Sequence, residues 1–386
     1  MRILVLSPFP PRRDATHGGA RVVAELLVRL SERQELALVC LRAPDEPSVD
    51  EALVARLAEV REVAHPVRSS SVWAQRARRA SALLRGRPLW DVESASRELS
   101  AQVADLTRSW KHDVCQLYWD VMIQYATDVP TVLVAPEVAS LRTVEELRGL
   151  SGRIDAAVWR RVERRALANL DATVVFTEED RAGLLALDPA ARVEVIPFAV
   201  EPPPAALDPV GEGDSILFVG NFRHTPNVDA ALRLGQNIFP LVKSQLPSAT
   251  LRLVGAQPPP EIRALASSDV EVAADVPDTA AELGRAAVVA LPLRLGGGMR
   301  VKTLEALGAG KAVVASSLAL RGTHVVDRRD VVICESDEEF ATEIVALLRG
   351  PSRRSELAHA ARQWAETHSR WDPLVRQHEQ LLQSLI

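Results

Sequence analysis

The stretch LGGGMRVKTLEALGAGKAVVAS, residues 295–316, holds the residue types best suited to chemistry in this chain. Gly296, Gly297 and Gly298 follow the apolar run AAVVALPL, and Met299, Arg300, Lys302 and Glu305 come directly after. Glycines in such a place let backbone approach a ligand with no Cβ in the way. The run MRVKTLEALGA has helical spacing with Val301, Leu304 and Leu307 turned inward, which puts Arg300 and Lys302 in the first turn. Cations at that end of a helix oppose its dipole by ~0.3–1 kcal/mol each. A bound diphosphate reverses the sign, because free amides, dipole and both cations then face negative oxygens. Glu305, one turn on, comes within reach of a neighbouring hydroxyl. The competing reading is a plain glycine turn whose Lys302 pairs with Glu305 at i,i+3. The spacing is not that of a Walker A loop.

Two further loops sit where ligands meet parallel sheets. In GNFRHTPNVD, residues 220–229, Asn221, Arg223 and His224 follow the strand-like run SILFV, and Pro226–Asn227 suits a helix start. Singly these residues read as ordinary surface polarity; as a loop they form a candidate site. In HGGARVVAEL, residues 17–26, Gly18 and Gly19 precede a helix. They could admit a sugar or phosphate, or form a simple turn. No GxGxxG follows the first strand, so the nicotinamide-dinucleotide reading lacks its main support. Asp120 and Glu137 each lie just past a strand end, as catalytic carboxylates do and as capping acids also do. The chain has no DxD triplet and no clustered His, Asp and Glu, so neither a metal clamp nor a resident cofactor is expected.

The elements that must position these loops are legible from apolar runs. They are RILVL (2–6), LALVCL (36–41), VCQLY (114–118), TVLVA (131–135), ATVVF (172–176) and VEVI (193–196) in the first half. SILFV (215–219), TLRLV (250–254), AAVVAL (286–291), AVVAS (312–316) and VVIC (331–334) follow in the second. Continuous apolar strands alternating with helical patterns imply parallel sheets covered on both faces. The segment EPPPAALDPVGEGD, residues 201–214, reads as an interdomain linker. The expected α/β architecture is two doubly wound Rossmann-like domains facing each other across a cleft. Ligands bind such sheets at the carboxyl ends of their strands.

Composition narrows the partners. A net charge of −5 over 386 residues disfavours a general polyanion binder, so nucleic acid is not expected. Cys40, Cys115 and Cys334 lie far apart without a CxxC pair, which fits inert thiols in a reducing cytoplasm. The opening MRILVLSPFPPRR is too short in apolar residues for a signal-peptide core, and no run approaches a spanning helix. From Val63 to Trp90 there is no acid, while Arg68, Arg76, Arg78, Arg79, Arg85 and Arg87 gather near Trp73, Leu83, Leu84 and Trp90. Residues 68–90 could lie peripherally on the anionic inner face of a cell membrane, or form a solvated helix pair with buried aromatics.

The segment DVPDTAAELGRAAVVALPLRLGGGMRVKTLEALGAGKAVVASSLALRG resembles the donor-site signature of GT-B glycosyltransferases, specifically family 4, glycosyl transferases group 1. GNFRHTPNVDAALRL resembles the opening of the same domain in a bacterial branch of that family. MRILVLSPFPP with HGGA, FTEEDRAGL, VEVIPFAVE and HSRWDPLVRQHEQLL extend the likeness over nearly the whole chain. The resemblance implies a GT-B fold with an acceptor-side domain over 1–200 and a nucleotide-sugar donor domain over 201–366. A closing helix over 367–386 would pack back on the first domain. It further implies glycosyl transfer from a nucleotide diphosphate-sugar to an acceptor (glycan, lipid-linked or small molecule), with retention and without an essential metal.

By position, the resemblance gives Glu305 the donor ribose, and Gly297, Gly298 and Met299 backbone amides for phosphates or sugar. Val276 falls in the loop that holds the base. The sequence departs from the pattern at three places. Gly297 stands where the first glutamate of a spaced pair is expected, and Asn221 and Asn227 stand where an Arg and a Lys are expected. Pro136 replaces a first-domain histidine, leaving Glu137 the nearest acid. Arg300 and Lys302, with Arg223, become the replacement phosphate cations; Gly19, Asn221 and Gly296 complete the donor loops. Two other readings stay open: an enzyme like the sugar-nucleotide 2-epimerases, which needs well-marked carboxylates, and an inactive GT-B binding or scaffold subunit.

Overall fold

The computed structural model describes the chain except residues 16, 45, 66–70, 142–149 and 277–278, and the side chains at 72, 75, 76, 83, 150 and 151. The described residues form two compact units, Met1–Pro197 with Asp372–Ile386, and Phe198–Trp371.

The first unit holds β1 (Arg2–Ser7), β2 (Glu35–Arg42), β3 (Glu59–Ala64), β4 (Val114–Tyr118), β5 (Thr131–Ala135), β6 (Ala172–Val175) and β7 (Val193–Val195). Their order across the sheet is β3-β2-β1-β4-β5-β6-β7. The second unit holds β8 (Ser215–Val219), β9 (Thr250–Gly255), β10 (Val270–Ala274), β11 (Val288–Leu291), β12 (Ala312–Ala315) and β13 (Val332–Ile333), ordered β10-β9-β8-β11-β12-β13. Neighbouring strands run parallel in both sheets, for instance Ile3 beside Leu36 and Val288 beside Ile216. Each sheet therefore reverses its winding once, between β1 and β4 and between β8 and β11. That reversal opens a crevice at the carboxyl ends of the strands.

Central strands are apolar throughout because helices cover both faces. Ile3 to Leu6, Val288, Ala290, and Ala312 to Ala315 have no solvent exposure. β3 and β10 escape the apolar-run criterion, and both are sheet edges. There the sequences EVREVA and VEVAA mix charged residues among apolar ones, and the charged positions carry ion pairs. Arg61 joins Glu59 and Asp105, while Arg252 joins Glu271 and Glu282.

Helix starts follow local chemistry. Ser96 and Thr177 cap the 97–109 and 178–185 helices, and Ser336 with Glu339 forms a reciprocal capping box for 337–349. The 201–214 segment is no free linker. Leu207 N donates to Ala309 O at 3.0 Å, Glu212 N donates to Arg285 O at 2.8 Å, and buried Lys311 donates to Asp208 O. Its prolines keep the chain extended, so it lies along the second unit and the division falls earlier, after Pro197. The expected closing segment 367–386 likewise begins inside the Pro351–His368 helix; a separate helix, Trp371–Gln383, follows. Residues 372–386 cluster with the first unit, where Glu379 accepts from Arg33 Nη1 at 3.2 Å and Gln34 Nε2 at 2.9 Å. The three cysteines are buried and unbridged, and burial pushes the Cys115 thiol up to about 12.

Candidate active site

In the second unit the loops after β8 and β11 meet. The β11 loop turns at Gly296, whose φ is +97°, and at Gly298, whose φ is +68°. A Cβ on Gly296 would lie 2.8 Å from Arg300 Nη2 and 3.1 Å from Pro226 Cγ, so glycine lets the two loops touch. Arg300 does not enter the helical turn as its sequence spacing suggests. It is the N-cap, with extended angles of −111° and 111°, and the helix spans Val301–Gly308. Its guanidinium folds back toward Leu295 O, 3.4 Å from Nη2. Leu304 and Leu307 are fully buried as the spacing requires, but Val301 is only half-buried and Thr303 takes the inner position. Thr303 can do so because Oγ1 donates to Ala319 O at 2.7 Å.

Lys302 is drawn across the loop rather than outward. Its Nζ donates to Asn227 Oδ1 and stands 4.6 Å above the centroid of the Phe218 ring. Asn227 Nδ2 donates to Asn221 O at 2.7 Å, and Arg223 N donates to Asn221 Oδ1 at 2.9 Å. Arg223 Nε reaches Gln257 Oε1 at 2.6 Å. Burial, helped by the nearby Arg300 charge and opposed by Glu305, pushes the Lys302 ammonium down to about 7. A cation so placed gains when an anion arrives. Among the described residues, the amides of Gly297, Gly298 and Met299 have no protein acceptor. The assembly is thus amide donors, a guanidinium and an ammonium around one turn, which suits a multiply charged anion.

Glu305 and Lys302 line a recess with Val219, Thr279, Leu283, Val289 and Leu291. Val276 lies at the end of β10, after Asp275 at φ +51°, and next to the undescribed 277–278. Thr279, which the sequence did not single out, shares the recess with Glu305 and Lys302 and brings a hydroxyl to it. A second missed residue is Arg233, buried in the Thr225–Arg233 helix. Its three nitrogens donate to Asp337 Oδ1 at 2.6 Å, Pro292 O at 3.2 Å and Glu335 O at 2.6 Å. Arg294 adds paired contacts to Asp229, at 2.8 and 3.1 Å. These arginines fix the root of the 292–300 loop. The available signal was an arginine inside the apolar run VDAALRL.

The first-unit candidates lie at the ends of β1, β4 and β5. Gly19 belongs to the Gly18–Leu30 helix, whose N-cap His17 accepts from Ala20 N through Nδ1 at 3.2 Å. A Cβ on Gly19 would stand 2.8 Å from Trp119 Cη2, so indole fills the space expected for a sugar or phosphate. Phe9 packs edge-on against both His17 and Trp119, with centroids 4.4 and 4.6 Å away. Trp119 has φ +65°, a costly value for a large side chain, and it turns the chain into the Asp120–Tyr125 helical turn. Asp120 is 7% exposed. Glu137 follows β5 and is half-buried; its neighbours are pinned by two acids the sequence reading passed over. Glu163 Oε1 accepts from Ser140 N at 2.9 Å, and Asp180 Oδ1 accepts from Val138 N at 3.4 Å. Burial raises the Glu163 carboxyl above its ordinary value.

Residues 213–350 match the family model described as Glycosyl transferases group 1. By sequence, no curated protein matches the chain. Among solved structures, a sucrose-phosphate synthase from Thermosynechococcus elongatus superposes with a TM-score of 0.76 at 15% identity, covering 100% of this chain and 99% of that one. Staphylococcus aureus TarM, solved with fondaparinux, alpha-GlcNAc-glycerol and UDP, gives 0.71 at 9% identity over 99% and 100% of the chains. Anabaena HepE with UDP-glucose gives 0.66 at 15% identity over 100% of both. These neighbours share the GT-B arrangement of two parallel-sheet, Rossmann-like domains. The matched span contains β8 to β13, the 220–227 loop, the glycine turn and Glu305. The chain is thus a GT-B-fold protein whose residues 213–350 match the glycosyl transferases group 1 model, which supports a glycosyltransferase.

Proposed function

We propose that the chain moves a glycosyl group from a nucleotide diphosphate-sugar to an acceptor hydroxyl on a glycan, a lipid-linked molecule or a small molecule. Transfer proceeds with retention at the anomeric carbon and needs no metal. The bond from the anomeric carbon to the diphosphate oxygen breaks, and a bond to the acceptor oxygen forms on the same face. The hydroxyl proton passes to the departing phosphate oxygen. Such a front-face displacement needs no side-chain nucleophile. Its chief electrostatic demand is negative charge building on the leaving diphosphate, which preorganised donors meet.

The observation that carries this reading is the 296–302 turn, where three amides without protein acceptors sit beside Arg300 and Lys302. Arg300 and Lys302 hold the diphosphate, with Asn221 and Arg223 supporting Lys302 through Asn227. Glu305 and Thr279 take the ribose hydroxyls, and Val276 lies on the base side. Asp120 and Glu137 are the first-unit candidates for a catalytic carboxylate. The resemblance carried by the sequence supports a bacterial family 4 enzyme, and three dispersed cysteines without a CxxC pair support a cytoplasmic one. HepE, crystallised with UDP-glucose, makes uridine diphosphate donors the first to examine.

A thermal-shift screen of nucleoside diphosphates and their sugars tests the site, and turnover of the stabilising donor tests the chemistry. Stabilisation by one nucleoside diphosphate with transfer or hydrolysis of its sugar is the expected result. An isomerised donor would instead mark an epimerase, and binding without turnover a scaffold. No stabilisation by any nucleotide would sink the assignment.

A further inference from the structure

We infer that the exposed face of the Val72–Leu84 helix docks reversibly on an anionic lipid bilayer. Trp73 is 78% exposed and Leu84 89% exposed, the two most exposed large apolar side chains among the described residues. They are not scattered. Trp73, Ala77, Ala80 and Leu84 are spaced by four, three and four residues, so they share one helical stripe, and all four are exposed. The opposite side faces protein: Ala82 is 2% exposed, and Arg78 reaches Glu93 at 3.5 Å.

Charge identifies the occupant. No Asp or Glu occurs from Val63 to Trp90, in a chain whose net charge is −5. Arg79 is exposed on the flank of the helix and Arg85 just past its end, whereas Arg87 is held by Asp91 at 2.6 Å. Arg68 lies outside the described residues. A second copy of this face would bring like charges together. A nucleic acid would leave the tryptophan and leucine without a function. An anionic bilayer meets both demands, with Trp73 at the headgroup level, Leu84 in the acyl boundary and the guanidiniums on phosphates. The stripe is short, and one amphipathic helix gives reversible contact rather than permanent anchoring. None of the described helices is long and apolar enough to cross a membrane. No residue of this stripe belongs to the proposed donor site, so the two readings stand or fall separately.

The test is co-sedimentation of the full chain with phosphatidylcholine vesicles, with and without phosphatidylglycerol. Binding is expected only with the anionic lipid and is expected to weaken as salt rises. A Trp73→Ala/Leu84→Ser variant and an Arg79→Glu/Arg85→Glu variant should each lose affinity by about tenfold or more. Both should keep the wild-type thermal midpoint and nucleotide response, since the altered side chains are exposed. Failure of the wild-type chain to pellet with anionic vesicles overturns the inference, as does wild-type binding by both variants. A concentration-dependent dimer in light scattering that the Trp73→Ala/Leu84→Ser variant abolishes would assign the stripe to a second copy instead.

Discussion

Lys302 shows how one side chain can be costly to the empty protein and useful to the occupied one. Its ammonium is pushed down to about 7 by burial and by Arg300. Because the folded protein holds this proton less tightly than the unfolded chain, the free protein should gain stability as pH rises from about 7 toward the ordinary lysine value. Donor binding should run the other way. A diphosphate favours the charged form, so donor affinity should be flat below pH 7 and fall above it, by up to about tenfold per pH unit. Isothermal titration across pH 6 to 9 checks this, and Lys302→Arg should remove the dependence. Arg300→Ala should lower turnover by about 10²–10³ with an unchanged melting temperature, the loss expected for one transition-state donor. Near-normal turnover in Arg300→Ala and Lys302→Ala alike would remove the diphosphate from this turn. The glycines and both cations were legible in the sequence because their chemistry is local. The reach of Lys302 to Asn227, 75 positions away, was not, since it depends on how β8 and β11 bring their loops together.

At the scale of elements, positions are set by contacts that sequence pattern records unevenly. Continuous apolar runs mark the central strands because both faces are covered; β3 and β10 lie at edges and carry charged residues among the apolar ones, so no such run marks them. Arg233 was overlooked for a related reason. A buried arginine looks like an interruption in a helix until Pro292 O, Glu335 O and Asp337 appear around it. Arg233→Met should keep the apolar volume yet free the root of the 292–300 loop. The acceptors left behind should lower stability by about 1–3 kcal/mol, measured by urea unfolding. Donor affinity should fall with it. Gly296→Ala should act on the loop rather than the fold. The positive φ and the 2.8 Å approach to Arg300 force the turn to shift, so donor affinity should fall severalfold with little change in melting. The first-unit counterpart was hidden altogether, because the backbone of Trp119 is set by packing on Gly19 and Phe9 and by nothing in its own sequence.

Across the whole molecule, the Trp371–Gln383 helix carries weight out of proportion to its length. Val375, His378, Leu381 and Leu382 are buried, and Glu379 holds Arg33 and Gln34. Burial takes His378 down to about 4 from an ordinary 6.5, so the unfolded chain takes up a proton first as pH falls. Stability should therefore be full above 6.5 and decline through the window down to about 4, and His378→Leu should flatten that slope in thermal melts at pH 7 and 5.

The unit to which this helix belongs is discontinuous, Met1–Pro197 together with Asp372–Ile386. Anyone recombining this protein with a relative to exchange its first half must therefore transplant two pieces of gene. A single crossover near residue 197 would pair a foreign sheet with the native tail, stranding Glu379 opposite the wrong Arg33 and Gln34, and Ser384 opposite the wrong Arg192. Natural shuffling faces the same constraint. The Phe198–Trp371 unit can change partners as one cassette, whereas the first half travels only with its distant tail.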